Sequence, residues 1–243
     1  MRVFHSATSL DKRGLAALSK INLKIDWATH EAAKYACENW HYSGCIPKSK
    51  LAKVGVWENG VFIGVIIYGV GATSSLVQQY GLKMNEGCEL VRIALKKHKT
   101  EVTRIMAIAQ KVLKKSMPNL RLVVSFADPS EGHHGGIYQG NGWIYTGKSA
   151  ECAFPIINGK KTHPRTLSLL VKAGKVKNRS DVPHIMTEGK HRYLMPLDKE
   201  MRERIMPLAK PYPKRTKEQA PEFPSGLGGA TPTCTLQSSA EAI

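Results

Sequence analysis

The sequence predicts a mixed α/β domain with a central sheet, and three features carry that prediction. Residues 53–68 read as a hairpin with Asn59-Gly60 at its tip, the dipeptide a tight turn prefers. Leu120–Ala127 (LRLVVSFA) is nearly unbroken in apolar residues, as a central strand buried on both faces would be. The stretches 26–40 and 101–116 repeat apolar residues at helical spacing.

In chain order, residues 1–25 are weakly patterned and form an N-terminal segment. The first helix is predicted from Asp26, a suitable N-cap, to Trp40, with a left-handed stop at Gly44. The hairpin strands are Lys53–Trp57 and Val61–Tyr68, followed by the glycine-rich loop Gly69-Val70-Gly71-Ala72. Cys88–Leu95 (CELVRIAL) is a third strand. Thr100 is placed to cap the helix Glu101–Ser116, whose predicted apolar face is Val102, Ile105, Ile108, Ala109, Val112 and Leu113. Pro118 ends that helix.

After the central strand come a short helix at Gly135–Gly140, strands at Trp143–Thr146 and Cys152–Ile157, and a turn at Asn158-Gly159. A helix at Pro164–Ala173, a strand at His191–Leu197 and a helix at Asp198–Leu208 complete the domain, drawn at 26–209. Residues 210–243, rich in Pro, Gly, Ser and Thr, are expected to form a disordered tail.

The chain has 243 residues and a net charge of +17, nearly all of it before residue 198. A polyanion is the natural partner of such a surface, since each neutralised phosphate releases counterions. No run approaches the roughly 18 apolar residues of a membrane span, and the start lacks the continuous apolar stretch of a secretory signal. The expectation is a soluble protein in a cytoplasm. Five cysteines at long spacings, with no C-x-x-C pair, suggest neither a disulfide framework nor a zinc site.

The chemistry concentrates in DPSEGHHGGIYQGNGW, residues 128–143. Asp128 ends the predicted central strand, and ligands of open α/β sheets bind beyond the carboxyl ends of strands. It is a candidate base or substrate anchor; a turn-starting Asp-Pro is the plainer alternative. Gly135 and Gly136 would let backbone amides approach a ligand closely. His133 and His134 are adjacent and so rarely face one metal together. A site using Asp128 and one of them would suit iron. His41 and Tyr42, beside Trp40, form an aromatic group fit to stack an extruded base, or else to staple the first helix. Glu89 and Arg92 lie on CELVRIAL. They point to opposite faces unless a bulge intervenes.

IYQGNGWIYTG resembles the Tyr-x-x-x-Gly-Phe pattern of the GNAT acyltransferase superfamily, with Trp143 in place of Phe. A set of segments is similar to the Mom family of phage DNA-modification proteins: ENWHYSG (38–44), KVGVWENGVFIGVIIYGVGA (53–72), CELVRIAL (88–95), LVVSFADPSEGHHGGIYQGNGWIYTG (122–147) and, more weakly, HRYLMPL (191–197). The resemblance implies a GNAT-like sheet flanked by helices. It implies an enzyme that puts a carbamoylmethyl group on the exocyclic amine of adenine in DNA, shielding phage DNA from restriction in the host cytoplasm. It also implies that Tyr138 is the general acid and that Glu89 is a candidate base, beside Asp128 at the strand end. Arg92, Ser125, Trp143, His41 and Tyr42 are then candidates for holding substrate or donor.

Where GNAT enzymes carry a glycine-bearing pyrophosphate loop, this chain reads KKHKTEVTR. Helix amides with Lys96, Lys97 and Lys99 are the expected phosphate grip there, whether for acetyl-CoA or for a polynucleotide. Because a carbamoylmethyl group is an isomer of a glycyl group, glycyl-tRNA is an alternative donor. A homodimer is left open. The other readings are an acyltransferase acting on RNA or protein, and a non-catalytic basic DNA-binding protein.

Overall fold

The computed structural model describes residues 21–71, 75–162 and 164–214. Most of the predicted tail therefore lies outside the described residues. The central sheet has seven strands: β1 (Leu23–Trp27), β2 (Leu51–Glu58), β3 (Val61–Gly69), β4 (Gly87–Leu95), β5 (Leu122–Ala127), β6 (Ile144–Lys148) and β10 (His191–Pro196). Their spatial order is β1-β2-β3-β4-β5-β10-β6. A separate three-stranded sheet holds β8 (Lys160–Lys161), β7 (Cys152–Ile157) and β9 (His184–Thr187), in that order. The helices are α1 (His30–Trp40), α2 (Ser75–Gln78), α3 (Val102–Ser116), α4 (Gly136–Gln139), α5 (Pro164–Lys172) and α6 (Lys199–Ile205).

The mixed α/β expectation holds, with corrections. Asp26 does not cap a helix: it lies in edge strand β1, paired with Gly55. Thr29 caps α1 instead, its Oγ1 accepting from Ala32 N at 3.2 Å. The alternation Leu23, Ile25 inward and Lys24, Asp26 outward is a two-residue period. The helical pattern of the following residues masks it. The hairpin turn has φ of 52° at Asn59 and 79° at Gly60, the paired positive values that a tight two-residue turn needs.

Strand β5 reads as continuous apolar sequence because the sheet is covered on both sides. Val123 belongs to the core under α3, which also contains Val56, Ile66, Tyr68, Leu90, Ile105, Ala109 and Leu113. Leu122 and Val124 face the core that α2 and α6 complete, with Leu76, Leu194, Met201 and Ile205. On α3 the buried stripe is Ile105, Met106, Ala109, Gln110 and Leu113. It is rotated from the predicted face, with Ile108 and Val112 only half-buried. Helix α1 lays Ala33, Ala36 and Cys37 on Val65, Ile67 and Ala94, on the face of the sheet opposite α3.

Two features of the sheet create a site. Among its neighbouring strands only β4 and β5 run parallel. Their pairing covers Gly87 to Leu90 against Leu122 to Ser125 and stops there, although β4 continues to Leu95 and β5 to Ala127. The strands thus part at their carboxyl ends and leave a crevice. Strand β10 then enters between β5 and β6, antiparallel to both.

Candidate active site

Residues from five segments meet at this crevice. Strand β4 contributes Glu89 and Arg92, and its register settles how they stand. Tyr68 of β3 pairs with Leu90 while Ile67 pairs with Arg92, so Val91 is an extra residue, a bulge. One extra residue reverses the alternation, and Glu89 and Arg92 share the face that α1 covers. Arg92 Nη1 donates to the Val91 carbonyl at 2.9 Å. Its Nε is buried without a hydrogen-bond partner among the described residues. An unpartnered buried guanidinium donor is uncommon and marks Arg92 as a candidate for a role beyond packing.

Below the point where the strands part, Ser125 Oγ lies 2.9 Å from the Leu90 carbonyl and 2.8 Å from the Tyr138 hydroxyl. A serine hydroxyl has one proton, and a carbonyl can only accept. With that proton on Leu90, Tyr138 donates to Ser125. Burial pushes the Tyr138 phenol up to about 12, against a smaller lowering by Ser125. The phenol therefore stays protonated at neutral pH, the state a proton donor requires. Trp143, 0% exposed, and Tyr193 flank its ring at centroid distances of 5.0 and 5.1 Å.

Beyond the end of β5, Asp128 Oδ1 accepts from Ser130 N at 3.0 Å and from Ser130 Oγ at 2.7 Å. Its Oδ2 pairs with Lys190 at 2.8 Å. Burial would raise this carboxyl, but the Lys190 and Ser130 contacts outweigh it and hold it below the ordinary range. Such a carboxylate is a weak base and a good strut. Asp128 caps the 3-10 turn Pro129–Glu131 and ties it to the entry of β10.

The rim is aromatic. The His41 and Tyr42 rings lie 4.3 Å apart, and Tyr42 meets His133 at 5.5 Å. Tyr42 is 56% exposed. Burial, helped by the charges of Arg92 and His133, depresses His41 to about 4, so its imidazole is neutral at pH 7. Its Nδ1 lies 2.8 Å from Ser43 Oγ.

Several expected contacts take a different form. Ser125 and Trp143 are completely buried, so they position Tyr138 and have no surface for a ligand. Gly135, at φ +84°, owes its lack of a Cβ to Tyr193: an added Cβ would lie 2.3 Å from that ring. Gly136 is exposed, and a Cβ there would meet the His134 ring at 3.0 Å. Among the described residues no group of three or more His, Cys, Asp or Glu side chains gathers to hold a metal ion. His133 meets Tyr42 edge-on, and the backbone carbonyl of His134 accepts from the Tyr193 hydroxyl at 2.6 Å.

Part of the expected phosphate grip takes a different form. In the loop just ahead of α3 the Glu58 carboxylate accepts from Lys99 N at 3.0 Å, Thr100 N at 2.8 Å and Thr100 Oγ1 at 2.6 Å. Thr100 is thus committed to Glu58, and the cap position passes to Glu101, which makes no side-chain cap bond. Lys96 lies over the Trp40 ring at 5.4 Å, while the Lys97 and Lys99 side chains are exposed. Lys99 N and Thr100 N are therefore committed within the chain.

Residues 22–214 match the Mom protein family. The chain belongs to that family. A curated Mom relative, the "Methylcarbamoylase mom" of Escherichia phage Mu, is 24% identical over 203 residues, covering 79% of this chain and 84% of the relative. Among solved structures, an N-acyl amino acid synthase from uncultured soil microbes overlaps at a TM-score of 0.41 with 12% identity, covering 76% of this chain and 94% of its own. An N-acetyltransferase from Staphylococcus aureus Mu50 gives 0.35 and 13%, covering 73% and 99%. These overlaps bear on neither donor nor reaction. Within this Mom chain, sequence reading assigned no role to Lys190, Tyr193, His191, Tyr145 or Gln139. Tyr193 backs Tyr138, the Tyr145 hydroxyl lies 3.0 Å from His191 Nδ1, and Gln139 donates to Tyr193 at 3.1 Å. His191 and Tyr193 lie in the weak HRYLMPL match and Gln139 and Tyr145 in the stronger 122–147 match, while Lys190 lies in neither.

Proposed function

We propose that the protein is a transferase that adds a carbamoylmethyl group to the exocyclic amine of adenine in phage DNA, acting in the cytoplasm of the bacterial host and protecting the DNA from restriction. The observation that carries this reading is the crevice at the parted ends of β4 and β5. A buried, protonated Tyr138 stands behind it, Arg92 with an unpartnered Nε lies beside it, and the exposed rings of Tyr42 and His133 line its rim. Family membership over residues 22–214 supports it.

An adenine in a duplex must leave the stack to reach such a crevice. Tyr42 and His133 receive its ring, and Arg92 orients the carbonyl of the incoming group. The amine nitrogen attacks the donor's acyl carbon, forming an N–C bond and breaking the bond to the leaving oxygen. Glu89 takes the amine proton, and Tyr138 supplies one to the departing oxygen. Asp128, held low by Lys190 and Ser130, positions the 128–134 loop.

We take an activated glycine ester such as glycyl-tRNA as the donor, because a glycyl group is an isomer of the carbamoylmethyl product. A glycyl amide formed on adenine rearranges without a further reagent. The glycyl amine attacks ring carbon 6, the bond from carbon 6 to the amide nitrogen breaks, and a proton moves to that nitrogen. The product is the carbamoylmethyl amine.

The test is mass spectrometry of nucleosides from plasmid DNA after expression. A deoxyadenosine heavier by C2H3NO is expected. Because glycyl, methylcarbamoyl and carbamoylmethyl groups are isomers, fragmentation must show loss of the terminal carboxamide. Unmodified DNA from cells holding folded protein would overturn the reading.

A further inference from the structure

The stretch between β6 and β10 adds nothing to the central sheet. It folds as the small sheet β8-β7-β9 with α5, and few of its residues are buried. Its composition departs from the rest: residues 152–187 hold seven Lys or Arg, one Asp and no Glu. A segment that buries little and concentrates one sign of charge is shaped by what it meets outside the chain.

Its position follows from the strand register. Lys148, the last residue of β6, pairs with His191, the first of β10. His191 also pairs with Ala127, the last residue of β5. Both stems of the insert therefore leave the sheet at the carboxyl end of β5, where the crevice opens. Lys190, at the foot of the second stem, pairs with Asp128 of the crevice loop. The Lys148–Glu188 ion pair and the hydrogen bond from Lys190 N to Ser149 Oγ at 3.0 Å tie the two stems together.

We infer that this insert is the clamp that holds the phosphate backbone of duplex DNA beside the adenine being modified. The inference rests on the proposed DNA substrate and adds to it the surface that binds. An enzyme working on an extruded base needs contacts to the flanking phosphates, which fix register and carry no sequence information. The exposed Lys172, Lys175 and Lys177, at the end of α5 and just beyond, supply cations on a mount anchored at the crevice rim. Lys160 and Lys161 of β8 add two more.

The full chain carrying Lys172→Gln, Lys175→Gln and Lys177→Gln tests this by fluorescence anisotropy on a labelled duplex across a salt series. Each lost phosphate contact should reduce the slope of log Kd against log salt by about 0.9, so a drop of about 2–3 and a weakening of at least tenfold at low salt are expected. Lys111→Gln with Lys115→Gln, on exposed positions of α3, should change the slope by less than about 1. An unchanged slope in a triple variant that melts like the wild type overturns the inference. So does a loss confined to tRNA binding with duplex binding intact. Failure of the unaltered protein to bind duplex DNA would instead strike the proposed substrate, and the two failures are told apart by the protein in which they occur.

Discussion

In the loop just ahead of α3 the amides of Lys99 and Thr100 are taken up by the carboxylate of Glu58, while at the parted ends of β4 and β5 the Nε of Arg92 is buried without a hydrogen-bond partner among the described residues. Both places offer donors to an anion, one through loop amides and one through a guanidinium. The chain has closed the first with its own side chain, so that region has become structural: Glu58 ties the β2–β3 hairpin to α3. The second keeps its donors for something else. The contrast separates stability from ligand binding in sequence positions only a few residues apart on neighbouring elements.

The largest effect is expected at the open end. Tyr138→Phe removes the proton donor and should lower adenine modification by about 10²-fold or more, measured as modified nucleoside per DNA at equal protein. It should cost only about 1 kcal/mol of stability, the value of one hydrogen bond. A variant that keeps its full rate would remove Tyr138 from the chemistry.

At the closed end the balance should reverse. Glu58→Ala leaves three donors in the loop ahead of α3 without their acceptor and should cost about 2–4 kcal/mol in urea unfolding. The pH dependence has a definite sign. Hydrogen bonds from Thr100 and Lys99 hold the Glu58 carboxyl below its ordinary value. Its contribution is therefore present above the unfolded value of roughly 4.3 and lost as pH falls through the folded one. The gap in Tm between wild type and Glu58→Ala should narrow between neutral and strongly acid pH. A constant gap would mean that Glu58 holds the helix without its charge.

Gly135→Ala sharpens the comparison from within the open site. The new methyl meets the Tyr193 ring, and φ of +84° disfavours any side chain, for a cost of about 2–3 kcal/mol. Because Tyr193 backs Tyr138, activity should fall more than stability alone explains. The smallest effect belongs to the rim. Tyr42→Ala should weaken substrate binding by about 1–2 kcal/mol, the worth of one stacked base, and leave the melting temperature unchanged because the ring is already exposed.

The legibility of the molecule follows the same division. Residues held by local chemistry were readable: the Asn59-Gly60 turn, the apolar run of β5 and the α3 helix all announce themselves within a few neighbours. Residues held by distant partners were not. Asp26 looks like a helix cap until Gly55 pairs with it. Thr100 looks like one until Glu58, 42 positions away, takes its hydroxyl. The bulge at Val91, which brings Glu89 and Arg92 to one face, exists only in the register against β3. Lys190 could not be tied to Asp128 because nothing in the sequence says that β10 lies beside β5.

That placement of β10 has a consequence for the order in which the protein comes into being. Strands β5 and β6 are made early, yet the strand that joins them ends at Pro196 and is among the last parts of the domain to leave the ribosome. Until then two long edges stay unpaired, Asp128 has no Lys190, and Tyr138 has no Tyr193 behind it. The contacts that close the sheet span tens of residues, which makes their formation slow relative to the local hairpin and helices. A chain that lacks β10 therefore lacks the partners that hold Asp128 and back Tyr138.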